Sequence, residues 1–115
     1  MKYFSDLFEI EKSLFVLDNT AYKTIEEVND CVTQYEKLKD NLMLIVMQAL
    51  EDFGIPVEIK EQIYNKSVLV LANHIGSADD VQKYGSIINF FHREGKITEQ
   101  QLNFFFNNLN IGRWQ

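Results

Sequence analysis

Between Thr24 and Phe53 the residues Val28, Cys31, Tyr35, Leu38, Leu42, Ile45 and Ala49 follow one another at steps of three and four without a fault. Only a helix lines such positions up, because at about 100° per residue these steps alternate around a full turn. The polar trio Lys39-Asp40-Asn41 falls off that line and need not interrupt it. Thr24, with Glu27 three residues on, forms a capping box. The segment therefore reads as one continuous helix to Phe53, about 43 Å long at about 1.5 Å per residue. That is comparable to the width of a domain of this size, so the expected bundle is elongated. The second half, Leu42-Met43-Leu44-Ile45-Val46-Met47, is apolar all round and is expected to be the most enclosed element, where Ile45→Asp should abolish folding.

The other segments also repeat at helical spacing. Tyr3 to Leu17 places Phe4, Leu7, Phe8, Leu14 and Phe15 on one face, flanked by a second ridge of Tyr3, Ile10 and Leu17. Asp18-Asn19-Thr20 ends it. Gly54 is expected at the C′ position of the long helix, and Pro56 forbids its continuation. A third helix is expected over Val57 to His74. Its Val68-Leu69-Val70-Leu71 run is β-prone, which leaves a short strand as the alternative. Helix is preferred because Glu58 to Ile63 is strongly helix-forming and no partner strand is visible. Ser77 caps a fourth helix, Ala78 to Arg93, with Asp80 at N3 and with Val81, Tyr84, Ile88 and Phe91 inward. After the terminator Gly95, Thr98 and Gln101 form a second capping box and Ile97 can staple onto Leu102. The last two helices therefore read as a tight hairpin.

One proline, no repeat and no Gly/Ser linker leave nothing to divide the chain. The expected class is all-α: a single-domain elongated helical bundle, residues 1–115, of about five helices with a C-terminal helical hairpin.

The run Phe104-Phe105-Phe106 in the last helix raises a different question. Three consecutive residues of a helix are about 100° apart and cannot share one core. Phe105, Leu109, Leu102 and Phe106 make a single stripe, and Phe104 lies opposite it among Gln100, Gln101, Asn107 and Asn108, polar but uncharged. Such a surround suits a surface that is sometimes desolvated. Phe104 is therefore either a partner-binding residue or packed against the N-terminal helix. In the tail, Trp114 beside Arg113 either anchors to a partner pocket or folds back on the end of the bundle.

Charge narrows the class of partner. The net charge is −6, which disfavours a phosphate backbone and hence nucleic acid. Residues 1–61 hold 13 acids against 6 lysines, a balance of −7, and residues 62–115 hold 4 acids against 5 Lys and Arg, a balance of +1. Glu26, Glu27 and Asp30 cluster in one stretch, and Glu51, Asp52, Glu58 and Glu61 around Gly54 in another. Either group is an ordinary solvated face or an electrostatic guide for a basic partner.

No catalytic or cofactor signature accompanies these features. His74 and His92 are the only imidazoles, and both read as helix-end residues interacting with the dipole. Cys31 lies on the core seam and reads as a small hydrophobe that rules out an internal disulfide. Asp79-Asp80 suits the first turn of a helix, and no ligand spacing for calcium, zinc or another metal is present. The expectation is a protein that is not an enzyme, with no catalytic residue, metal or cofactor. A start without an apolar leader and the absence of any run near 20 apolar residues point to a cytoplasmic protein with no membrane association.

In its general character, small, acidic and without catalytic machinery, the chain resembles bacterial immunity proteins of the bacteriocin and contact-dependent inhibition systems. That resemblance is one of class and assigns no residue. It implies a protein partner, a basic toxin domain such as a nuclease, whose active site is occluded while carboxylates stand in for substrate phosphates. The residues expected at that interface are Phe104, Arg113, Trp114, Glu26, Glu27 and Asp30. The alternative is a self-associating structural or regulatory module, a symmetric homodimer whose interface buries Phe104, with Phe90 as a second candidate.

Overall fold

The computed structural model describes residues 2–109. Five helices follow one another: α1 Lys2–Asp18, α2 Ile25–Glu51, α3 Val57–Asn73, α4 Ala78–Arg93 and α5 Glu99–Asn107. No strand occurs among the described residues, and the fold is all-α. Val68 to Leu71 is helical. Val68 and Leu71 are fully buried and Leu69 is exposed, the three-residue spacing of a helix face rather than the alternation of a strand.

The chain divides into two compact units between Ile63 and Tyr64, within α3. The charge asymmetry falls at the same place, since residues 62 and 63 are uncharged.

In the first unit α1 packs against α2. The buried ridge of α1 is Leu7, Ile10, Leu14 and Leu17. It draws on both sequence ridges, Leu7 and Leu14 from one and Ile10 and Leu17 from the other, while Phe8 is 57% and Phe15 is 67% exposed. The aromatic ridge is interrupted by Lys12, whose charge is costly to bury and stays exposed, whereas the aliphatic ridge is unbroken at steps of three, four and three. On α2 the seam residues Cys31, Leu42, Ile45 and Ala49 are buried, together with Met43 and Val46. The second half is not enclosed all round: Leu44 and Met47 lie on the side away from Leu42 and are exposed. Lys39, one of the trio expected off the seam, is buried.

The ends of α2 show local chemistry overriding simple pattern. Thr24 Oγ1 accepts the Glu27 N–H at 3.1 Å, and the Glu27 carboxylate accepts the Lys23 N–H at 2.8 Å, one residue earlier than an ordinary box. At the far end the helix stops at Glu51, short of Phe53, and Asp52 is its cap in extended conformation. The Asp52 carboxylate accepts the Gly54 N–H at 2.7 Å, so an Asx turn ends the helix and Gly54 is not its left-handed C′ residue.

In the second unit the buried side chains of α3, Tyr64, Val68, Leu71 and Ala72, join Ile75, Tyr84, Ile88, Phe91, Ile97 and Phe105. The Tyr64 hydroxyl donates to the Gln101 carbonyl at 2.7 Å and ties α3 to the first turn of α5. At the end of α4, Gly95 adopts φ +73°, its N–H donates to His92 O at 3.0 Å and the Lys96 N–H donates to Phe91 O at 2.9 Å. These two bonds are the Schellman arrangement, and they need a residue without Cβ strain at Gly95. Two residues later the Thr98–Gln101 capping box closes in both directions, so the turn from α4 into α5 is held at each end. The hairpin expected from the sequence is present.

Candidate functional site

Glu26, Glu27 and Asp30 are all exposed in the first turns of α2, where carboxylates favour the positive end of the helix dipole. Their roles separate. Glu27 completes the cap through Lys23, while Glu26 and Asp30, four residues apart, share one solvent face. Thr24 to Glu36 contains four acids and no basic residue.

Beside these acids runs an apolar strip that the seam argument passes over. Ile25, Val32, Lys39 and Val46 are seven residues apart and lie on one column of the helix. Lys39 and Val46 are buried, whereas Ile25 and Val32 are exposed, as is Val28 in the neighbouring column. Burial therefore deepens from the N-terminus of α2 toward its end, and the first half offers bare β-branched side chains next to carboxylates. At the adjoining end of α1, Phe15 and Val16 are exposed too. The geometry here is fixed by polar ties: the Tyr35 hydroxyl donates to Asp18 at 2.5 Å and the Tyr22 hydroxyl to Leu17 O at 2.9 Å. Burial, and then the Asp18 carboxylate, hold the Tyr35 hydroxyl well above its ordinary range.

A second exposed apolar group sits in the turn between α2 and α3. Phe53 is 98% exposed and Val57 is exposed beside it, with Glu51, Asp52, Glu58 and Glu61 around them. The turn is built rather than slack. Asp52 accepts from the Tyr3 hydroxyl at 2.7 Å as well as from Gly54, and Lys60 Nζ donates to Leu50 O at 3.2 Å and lies 5.7 Å from the Phe53 ring centre. The Tyr3 hydroxyl, the Gly54 N–H and the Lys60 charge, in that order, hold the Asp52 carboxyl below its ordinary value of 3.8.

In the second unit the three phenylalanines of α5 are graded rather than split. Phe105 is fully buried and packs edge-on against Phe106, with ring centres 5.0 Å apart, while Phe104 and Phe106 are both half-buried. Phe104 is thus not the bare aromatic that a position opposite the stripe suggests. Among the described residues of this unit, Phe90 on α4 is the exposed aromatic. Arg113 and Trp114 lie outside the described residues.

The histidines are explained by helix ends. His74 Nδ1 lies 2.8 Å from Val70 O, and because a carbonyl can only accept, Nδ1 carries the proton. His92 is half-buried in the last turn of α4. Ser77 Oγ accepts the Asp80 N–H at 3.2 Å and Asp80 accepts the Gly76 N–H at 3.4 Å, so this acid serves the start of α4. Among the described residues no group of three or more His, Cys, Asp or Glu is placed to hold a metal ion, and no helix is long and apolar enough to cross a membrane.

The sequence pattern marks the acids and the aromatic ridge of α1, but not the exposure of that ridge, nor Ile25, Val32 and Phe53. The heptad column offset from the seam was the available signal for Ile25 and Val32, and an aromatic between Asp52 and Gly54-Ile55-Pro56 was the signal for Phe53. No known protein family, curated protein or solved structure matches the chain.

Proposed function

We propose that this protein is an acidic binding protein of the immunity type, acting in the bacterial cytoplasm, which neutralises a cationic toxin domain by covering its active site. The observation that carries the reading is the setting of the exposed apolar residues of the first unit. Ile25, Val28, Val32 and Phe53 stand among carboxylates in the half of the chain that carries the −7 balance. Exposed carboxylates speed encounter with a basic surface and exclude acidic ones, while buried apolar anchors slow release. No bond is made or broken by the protein itself, and no cofactor is required.

The test takes cationic toxin domains as probes, beginning with any encoded by a neighbouring gene, with affinity read by calorimetry and association rates by stopped-flow. Glu26→Lys with Asp30→Lys should weaken binding at least tenfold, chiefly through slower association, and raising the salt concentration should weaken the wild type. Binding that is indifferent to salt and to both substitutions would sink the electrostatic reading.

A second reading is favoured by one observation, the exposed Phe90 in the near-neutral half: a homodimer through α4 and α5. Sedimentation of the wild type and of Phe90→Glu decides it, since a monomeric wild type excludes that dimer.

A further inference from the structure

We propose that the groove between α1 and α2, at the end of α2 opposite Glu26, receives a single arginine side chain from the protein partner. The inference rests on the basic-partner reading above only for what carries that arginine. The groove has a volume of about 290 Å³ and lies wholly within the first unit. Its base is apolar, with Ile10 and Ile45 buried and Leu44 exposed at the edge. Two carboxylates, Asp6 and Glu9, line it from α1, and two amides, Asn41 and Gln48, line it from α2.

The lining selects its occupant by chemistry. No Lys or Arg lines the groove, so its charged lining, Asp6 and Glu9, repels an anionic ligand and attracts a cation. Glu9 has one basic neighbour, Lys12 at 3.8 Å, but both side chains are exposed and such a pair is weak enough to be displaced. The volume is at the foot of the roughly 300–1,000 Å³ range of small-molecule sites, which suits one side chain rather than a nucleotide. The apolar base accepts an alkyl stem, and the carboxylates and amide oxygens accept N–H groups spread over a plane. A guanidinium presents five such donors in a rigid fork, whereas an ammonium is a compact point charge with a tightly held water shell. Arginine therefore uses more of the lining than lysine.

The experiment is an amide-resolved NMR titration of the full chain with N-acetylarginine amide, N-acetyllysine amide, the neutral isostere N-acetylcitrulline amide, and spermidine. Saturable shifts confined to the Asp6–Ile10 and Asn41–Gln48 segments are expected with the arginine probe, weaker ones with lysine and none with citrulline. Asp6→Asn with Glu9→Gln should weaken the arginine probe at least tenfold, and Leu44→Arg, at an exposed position, should block it by placing a competing guanidinium at the edge. Equal binding of citrulline, equal binding of spermidine spread over all the acids, or no effect of either variant would overturn the proposal. Toxin binding distinguishes the two readings. A toxin bound equally by the wild type and Leu44→Arg removes the groove but keeps the immunity reading. A groove that binds arginine in a protein that binds no cationic toxin removes the immunity reading alone.

Discussion

Replacing Gly85 by alanine is expected to stabilise the protein. Gly85 is buried within α4, its backbone is not left-handed, and a Cβ there would meet Phe106 Cε1 and Cζ at 3.4 Å and Phe105 Cε2 at 3.9 Å. Those separations are close to the carbon–carbon optimum of about 3.5–4.0 Å, so the methyl fills a contact rather than forcing one. Glycine in a helix interior costs about 1 kcal/mol relative to alanine, and the buried methyl adds a favourable transfer of the order of 0.8 kcal/mol. Slight compression against the Phe106 ring offsets part of this, leaving a net gain of about 1 kcal/mol, or roughly 4 °C in Tm. Gly85→Val reverses the sign, because its two methyls extend into the rings and overpacking costs about 1–3 kcal/mol. Urea denaturation followed by circular dichroism, at unchanged m, measures both. A loss of 1 kcal/mol or more in the alanine variant would mean that α4 and α5 approach more closely than the ring distances indicate. A valine variant as stable as alanine would mean that the Phe106 ring does not lie over Gly85. Restoration of Gly85→Val by Phe106→Leu, read as a double-mutant cycle, would identify that ring as the source of the clash.

Three further expectations concern single groups. Ser67 is fully buried and its hydroxyl has no hydrogen-bond partner within the described residues, so Ser67→Ala should raise stability by about 1 kcal/mol in the same urea assay; a loss would show that the hydroxyl is satisfied in solution. Gly95 is the one glycine with positive φ among the described residues, and Gly95→Ala should cost about 1 kcal/mol while Gly95→Asn costs less; equal stability of all three would contradict the Schellman turn. Burial holds the Tyr64 hydroxyl above its ordinary value of 10.0, and burial with Asp18 does the same for Tyr35. The folded chain thus keeps these protons longer than the unfolded one, so this stability is complete below pH 10 and falls as pH rises through the folded values. Tyr64→Phe should flatten the alkaline limb of thermal stability, and a limb unchanged in that variant would remove Tyr64 as its source.

Elements whose ends carry their own chemistry were legible in the sequence nearly to the residue. Ser77 and Arg93 bound α4 as expected, and Thr98 with Gln101 locates α5, because caps act through neighbours three residues away and need no tertiary information. The end of α2 was misplaced for the converse reason. Gly54 and Pro56 are strong stop signals, but the stop is set earlier by Asp52, whose carboxylate is shared with Tyr3, a partner 49 residues distant. Periodicity showed two ridges on α1 and could not choose between them. The choice depends on whether Lys12 must be buried against α2, a cost that appears only when the helices meet. The site was legible to the same degree: the acids of α2 could be read directly, whereas the exposure of Val32 on the same column as buried Val46 depends on where packing stops along the helix.

That pattern of exposure bears on which kind of partner is excluded. Single apolar side chains on a surface are ordinary, but Ile25, Val28 and Val32 are contiguous along one helix and sit next to Glu26 and Asp30, which no basic residue between Thr24 and Glu36 offsets. In a symmetric contact between two copies the same patch meets itself, so every carboxylate that would attract a basic partner repels its own counterpart. Salt therefore acts in opposite directions on the two kinds of complex: it weakens attachment to a basic domain and relieves repulsion between copies. Sedimentation across a concentration series, at low salt and at about 1 M, where the screening length is only about 3 Å, separates them. A protein that is monomeric at low salt and begins to associate at high salt is using the α2 face, and substituting Val32→Ser should abolish that association. Association of equal strength at both salts cannot run through the acidic unit, and would assign self-contact to the near-neutral half that carries Phe90.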